Sequence, residues 1–226
     1  MRGSRSRALA LAILSLLVLA GLACDAPRRA QIPVNGKLLE ALYWEPAKRL
    51  SPAVLLAAPP GQGKEAWIAL GTRLRQQGYG VLALELSAGE NASDELRAAF
   101  EWMRLQKKVD AARIGIVAAD QAANPALDFA AREPLVRLVV LLSPEVSATE
   151  VEAVARLRDY GFRPLLWIAA EPTGEASFPD QPLLDAREPW IVRRTSSPRP
   201  MSSCVMASAE LETDLLSFLD RRLRQH

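Results

Sequence analysis

Apolar and polar residues alternate along this chain in two different periods. Short apolar runs predict strands, and they lie at 39–44, 53–57, 81–86, 114–118, 138–142, 165–169 and 190–192. Longer amphipathic segments between them predict helices at 65–77, 93–106, 125–132, 148–160 and 210–224. Strands that alternate with helices in this way form a mostly parallel sheet with helices on both faces. The pattern therefore predicts a three-layer, doubly wound α/β domain.

The first part of the chain has a different pattern. Arginines at positions 2, 5 and 7 precede an apolar run over 8–23 that Ser15 alone interrupts with a polar side chain and that ends in small residues. This order is typical of a secretory signal peptide, and the run is shorter than the roughly 20 apolar residues of a spanning helix. We predict a signal peptide over 1–23, a tether over 24–34 and one domain over 35–226, and we expect the protein to be exported.

The end of this signal contains a cysteine. Leu22-Ala23-Cys24 resembles the end of a bacterial lipoprotein signal, in which the cysteine is acylated and becomes the new N-terminus. The resemblance implies a protein of the cell envelope, anchored by lipid to a membrane and facing the periplasm or the cell surface. Gly21 departs from the usual pattern, so ordinary cleavage that leaves Cys24 free or in a disulfide stays open.

Charge and cysteine content exclude several classes of function. Removal of 1–23 takes away three of the 28 basic residues and none of the 26 acidic ones, so the mature chain is nearly neutral. Neither this balance nor export favours a nucleic-acid partner. The two cysteines, Cys24 and Cys204, form neither a disulfide framework nor a CxxC metal motif. We expect no metal and no cofactor, and Cys204 is interpreted as a small packing residue.

Five segments together resemble a known family. In order and spacing, 53–61, 78–86, 113–117, 139–144 and 163–171 look like the successive core strands of dienelactone-hydrolase-like α/β-hydrolases. The resemblance extends over roughly residues 35–222. It implies the α/β-hydrolase fold, and because no insertion is long enough to form a helical cap, we expect that fold without a cap domain.

The nucleophile position of this family holds an aspartate. The serine motif G-x-S-x-G becomes Ala-Ala-Asp-Gln-Ala over 118–122, which puts Asp120 at the serine position. Aspartate serves as a nucleophile in some families of this fold, but a histidine must then activate water. The alternative is that Asp120 caps the next helix. Asn124-Pro125 predicts that this helix starts at Asn124, later than a tight nucleophile elbow allows.

The other catalytic positions have also lost their residues. Pro59 and Pro60 occupy the loop that supplies one oxyanion N–H, whereas the N–H of Gln121 would remain. Thr173 falls at the position of the triad acid, with Glu171 as the nearest carboxylate. The segment 197–204, where the family has its histidine, contains none, because the one histidine of the chain is His226.

Two other patterns resemble ligand-binding sites. The run 60–64 resembles a phosphate-binding loop, but Ala58 and Glu65 stand where that motif needs glycine and a hydroxyl residue. Separately, Glu85, Asp120 and Glu171 should lie near the carboxyl ends of strands, where open sheets bind ligands. They could hold a cation or a cationic ligand, or be ordinary carboxylates near solvent.

These observations favour a pseudo-hydrolase. We predict a membrane-tethered, non-catalytic α/β-hydrolase-fold protein that acts as a binding or interaction module for an unknown small molecule or envelope protein. The alternative is an ester or lactone hydrolase with a non-standard site around Asp120.

Overall fold

The computed structural model describes residues 26–144, 150–170, 190–195 and 208–224. Eight strands form one sheet in the order β1-β2-β4-β3-β5-β6-β7-β8. From β4 to β8 all neighbours are parallel, whereas β1 and β2 pair antiparallel with each other and β2 pairs antiparallel with β4. This arrangement confirms the predicted α/β class and mostly parallel sheet.

The strands are β1 Arg28–Val34, β2 Lys37–Trp44, β3 Ser51–Ala58, β4 Gly80–Glu85, β5 Val109–Ala119, β6 Val136–Leu142, β7 Leu165–Ala170 and β8 Trp190–Thr195. The helices are α1 Ile68–Gln76, α2 Asn91–Arg104, α3 Ala123–Arg132, α4 Glu150–Tyr160 and α5 Ala209–Leu223. A 3₁₀ turn, Lys64–Trp67, precedes α1, and another, Asp120–Ala122, precedes α3. All seven predicted strands and five predicted helices are present.

The predicted tether over 24–34 is wrong for residues 28–34, which form the edge strand β1. Ala30 and Ile32 are buried, while their neighbours Arg29 and Gln31 are exposed, as in a half-buried strand. Asn35 and Gly36 join β1 to β2 with φ angles of 48° and 74°. An Asn-Gly pair at positive φ forms the two-residue turn that suits a hairpin.

Helices cover both faces of the sheet and bury two apolar layers. On one face, Leu96, Phe100 and Phe129 from α2 and α3 pack against alternate residues of β3 and β5. On the other face, residues of α1 and α5 such as Leu70 and Phe218 pack against the remaining residues of the same strands. Strand β3 is therefore buried along its whole length, as expected for the centre of a parallel sheet.

Glycine permits one close contact on the α1 face. A Cβ atom built on Gly71 would lie 2.7 Å from the Trp44 ring, closer than van der Waals contact allows. The absence of a side chain at Gly71 lets α1 lie directly on Trp44. Among the described residues, no helix is both long and apolar enough to cross a membrane.

Candidate functional site

The turn between β5 and α3 has the backbone of a nucleophile elbow. Ala119 ends β5 in the extended conformation, and Asp120 follows with a φ of 49°. The chain then enters the 3₁₀ turn 120–122 and continues directly into α3 at Ala123. A strand, a positive-φ residue and a helix in immediate succession are the geometry that presents a nucleophile on this type of sheet.

Two predictions about this turn are wrong. The helix does not start too late for an elbow, because Pro125 lies within the first turn of α3, where its missing N–H needs no partner in the helix. Asp120 is also not an N-cap, since Ala119 and Ala122 hold the cap positions of the two helical segments. Its carboxylate instead contacts the loop that follows β3.

That contact joins Asp120 to Gln62. The side chain of Asp120 is only 6 % exposed, and its Oδ2 accepts a hydrogen bond of 3.2 Å from Gln62 Nε2. An amide donor on a carboxylate oxygen stabilises the negative charge, which lowers the tendency of the carboxylate to attack a substrate. Sequence reasoning missed Gln62, because nothing in its local pattern distinguishes it from a surface glutamine.

The backbone N–H groups of the loop after β3 are engaged inside the protein. Pro59 and Pro60 have no N–H to offer. The N–H of Gly61 donates to Glu85 Oε1 at 2.6 Å, and the N–H of Gln62 donates to the carbonyl of Pro59 at 3.3 Å. Each of the four residues 59–62 therefore either lacks an N–H or donates it to a protein oxygen.

Glu85 adds a negative charge beside the loop that follows β3. It is the last residue of β4, which lies beside β3, and its carboxylate contacts the position from which the fold ordinarily offers an oxyanion donor. Two unit negative charges about 4 Å apart repel by roughly 1 kcal/mol in water and about 4 kcal/mol near a protein surface. The arrangement therefore opposes an oxyanion where a hydrolase stabilises one.

Two of the three carboxylates that were predicted to form a binding site lie at the same loop. Glu85 and Asp120 contact neighbouring residues of one loop, Gly61 and Gln62, at the carboxyl ends of β4 and β5. The third predicted member, Glu171, lies outside the described residues. Within the described ranges, no group of three or more His, Cys, Asp or Glu side chains is placed to hold a metal ion.

Two further polar residues lie at this edge of the sheet. Glu95 of α2 is buried and accepts hydrogen bonds from the Ser87 N–H at 2.7 Å and from Ser87 Oγ at 2.5 Å. Ser143 directly follows β6, beside the elbow, with a φ of 47° and a buried side chain. Its N–H donates to the carbonyl of Ile168 at 2.7 Å. These contacts fix two of the loops at the carboxyl ends of the strands.

Several predicted site residues cannot be placed. The lipidation residue Cys24, the acid-position residue Thr173, the packing residue Cys204 and the terminal His226 all lie outside the described residues. Their assignments stay predictions.

Comparison with known proteins identifies the fold. The sequence matches no family model and no curated protein. Its structure is similar to that of the Pyrococcus furiosus esterase Pf2001, with a TM-score of 0.68, 14% identity, and 89% of this chain and 93% of that chain covered. The α/β hydrolase GrgF from Penicillium gives a TM-score of 0.67 at 12% identity, covering 87% of this chain and 99% of that one. An esterase domain from a Rhodothermus marinus protein gives 0.64 at 17% identity, covering 87% and 98%.

Proposed function

With the α/β-hydrolase fold as its framework, we propose that this protein is a non-catalytic, membrane-tethered binding or interaction module. The observation that carries the proposal is the hydrogen bond from the Gly61 N–H to Glu85. It removes an N–H from the loop that the fold uses for oxyanion stabilisation and puts a carboxylate there instead. Removal of one oxyanion donor alone typically slows such enzymes by about 100-fold or more.

The absence of a histidine base supports the same proposal. Acyl transfer through serine or aspartate on this fold needs a histidine that moves a proton to or from the nucleophile or water. The one histidine of the sequence, His226, is the terminal residue and follows α5. The side chains around the elbow that the structure describes are carboxylates, an amide and a hydroxyl, and none of them has the near-neutral ordinary pKa of an imidazole.

One observation favours the alternative function. Positive φ is uncommon for non-glycine residues, although aspartate tolerates it better than most, and Asp120 keeps this conformation at the nucleophile position. Strain of this kind concentrates at functional sites. The second candidate is therefore an ester or lactone hydrolase that uses Asp120, and the Gln62 contact on its carboxylate counts against it.

Turnover of activated short-chain esters separates the two candidates. We expect purified mature protein to hydrolyse p-nitrophenyl acetate no faster than its Asp120→Ala variant. Asp120→Asn is the matched control, because asparagine keeps the shape and tolerates positive φ but removes the charge. Turnover well above that of a folded control protein, and lost in both variants, would show that the protein is an enzyme.

The tether is proposed from Cys24, and its partners are the membrane and an unidentified small molecule or envelope protein. Bacteria that express the full chain and are fed labelled palmitate should incorporate label into the wild-type protein but not into Cys24→Ser. The wild type should remain with membranes after a salt wash, whereas Cys24→Ser should be released. Equal labelling of the two proteins would exclude Cys24 as the acylated residue.

A further inference from the structure

The amino ends of the central strands carry most of the exposed large apolar side chains. Within the described residues, six such side chains are exposed, and four of them lie in the segments that lead into β3, β5, β6 and β7. They are Leu50, Leu105, Leu135 and Phe162, with exposed fractions of 69%, 80%, 44% and 91%. These four strands are consecutive in the sheet, so the side chains project from neighbouring loops at one edge, here called the amino edge.

We propose that the amino edge docks on an anionic lipid surface. The proposal rests on the membrane tethering proposed above for its biological setting, but its physical basis is independent of lipidation. At a lipid surface, single large apolar side chains at loop tips enter the headgroup region, and cations beside them contact the lipid phosphates. The amino edge carries both kinds of side chain.

Cations surround these four apolar residues. The amino edge carries the exposed residues Lys48, Arg49, Lys107, Arg137 and Arg221, and among the described residues no ion pair engages any of them. The acidic residues nearby are mostly occupied: Glu45 pairs with Lys108, Asp110 with Arg113 and Asp220 with Arg224. Glu133 and Asp159 remain at this edge, so cations are in excess.

A cavity of about 290 Å³ at this edge is large enough for a phosphate headgroup. Four arginines line it, Arg137, Arg163, Arg221 and Arg222, together with the exposed Phe162 and no carboxylate. Arg163 is fixed by bonds to the backbone carbonyls of Ala130, Glu133, Val136 and Tyr160. Its charge is thus held in the cavity wall, while Arg137 and Arg221 can donate to a ligand.

The backbone holds Leu50 outward. Leu50 has a φ of 52°, which is rare for a bulky residue, and its carbonyl accepts a 2.6 Å hydrogen bond from Arg113 Nη2. A bulky apolar side chain that is 69% exposed buries little apolar surface, so the folded chain alone gives it no large stabilising contact. Contact with a lipid phase would supply one.

The N-terminus leaves the sheet at the same end. Strand β1 is antiparallel to β2, which is antiparallel to β4, so Arg28 at the start of β1 lies level with the amino ends of the parallel strands. Four residue steps separate Cys24 from Arg28, which span at most about 14 Å. A lipid on Cys24 therefore holds this end of the sheet, rather than the Asp120 end, close to the bilayer.

Vesicle binding by unlipidated protein tests the proposal without the anchor. The protein comprises residues 24–226, which contain every described helix and strand, with Cys24→Ser. We expect it to float with vesicles of phosphatidylcholine mixed with phosphatidylglycerol, less with phosphatidylcholine alone, and less again as salt is raised. Arg137→Glu changes the charge by two units, so at about fivefold for each unit it should lower the partition coefficient by about 25-fold. Lys37→Glu, which makes the same charge change at the opposite end of β2, should leave binding close to that of the parent.

A fluorescent label reports which edge meets the lipid. In a Cys24→Ser, Cys204→Ser background, an NBD group on Phe162→Cys should shift to the blue and be quenched by brominated lipid. The same label on Leu38→Cys, an exposed apolar site at the opposite edge, should show neither change. Equal responses at the two sites, or no preference for anionic vesicles, would overturn the docking proposal while leaving acylation of Cys24 to be judged by palmitate labelling.

Inorganic phosphate at matched ionic strength distinguishes a lipid surface from a free anion. We expect it to compete weakly with vesicles, because it offers nothing to the apolar residues of the edge. Tight binding of phosphate by a protein that ignores anionic vesicles would assign the arginine cavity to a soluble anion and contradict the proposal. The docking proposal would also be contradicted if the protein bound soluble polyanions but did not bind vesicles.

Discussion

The two ends of the parallel strands differ in where their polar groups are directed. At the carboxyl ends, loops bond to one another through Gly61 with Glu85 and Gln62 with Asp120. At the amino ends, Arg163 binds the backbone while apolar side chains such as Phe162 face outward. Open sheets ordinarily bind ligands at their carboxyl ends. Here the described loops after β3, β4 and β5 direct their polar groups at one another, whereas the described surface at the amino ends exposes apolar and cationic side chains.

The largest expected difference between the two ends is in stability. Arg163→Met removes bonds from one guanidinium to four carbonyls that flank α3, β6 and α4, and we expect the free energy of unfolding to fall by about 3 kcal/mol. Gln62→Ala, which removes a donor from the buried Asp120 carboxylate, should cost less, about 1–2 kcal/mol. Urea unfolding measures both. If the two variants lose the same free energy of unfolding, the hydrogen bonds at the two ends contribute equally to stability.

Arg163→Lys provides the matched control for this effect. Lysine keeps the positive charge but has three donors on one nitrogen, so it cannot reach carbonyls arranged around a planar guanidinium. We expect little recovery of stability over methionine. Full recovery would assign the effect to charge instead of to hydrogen-bond geometry.

An alkaline loss of stability should come from the amino end. All three tyrosines lie near that end, and burial raises the pKa of Tyr43 and of Tyr79 to about 12, and also raises that of Tyr160. Their unfolded pKa is about 10. The folded state therefore favours the protonated phenol, so its stabilisation is complete below pH 10 and is lost as pH rises from about 10 to about 12. Urea unfolding followed across this range, with tyrosinate absorbance, checks it, and ionisation of all three phenols at their ordinary pKa would contradict it.

A smaller effect tests the elbow at the carboxyl end. Asp120→Gly should be about 1 kcal/mol more stable than Asp120→Ala, because only alanine is strained at a φ of 49°. Both variants remove the same carboxylate, so each controls for the loss of the Gln62 contact. Thermal unfolding of the pair measures the difference. Equal stabilities would show that the turn relaxes when the aspartate is removed and that no strain is stored there.

The sequence predicted the sheet well because buried parallel strands leave a strong periodic signal. Strand β1 was missed because Arg28–Val34 lies at the edge, buries only Ala30 and Ile32, and contains Pro33. The Asn35-Gly36 pair was the signal that could have revealed its hairpin. The late helix start was predicted from the preference of proline for the first helical turn, which also allows Pro125 as the third residue of a helix that begins at Ala123.

The site was less predictable than the fold. The elbow position of Asp120 followed from its place after a strand, but its contact with Gln62 depends on how two loops meet in space. The same holds for Glu85, which the sequence placed at the right edge without indicating that it would bind the Gly61 N–H. Pairings between loops that are distant in sequence depend on side-chain directions that periodicity does not encode.

A pre-steady-state measurement tests the absence of catalysis most directly. Protein at high concentration is mixed rapidly with p-nitrophenyl acetate, and the release of nitrophenolate is followed before steady state. A nucleophilic Asp120 would release product in a burst stoichiometric with protein, even if its adduct were hydrolysed slowly. The account predicts no burst beyond that of Asp120→Ala. A stoichiometric burst that disappears in Asp120→Ala would contradict it.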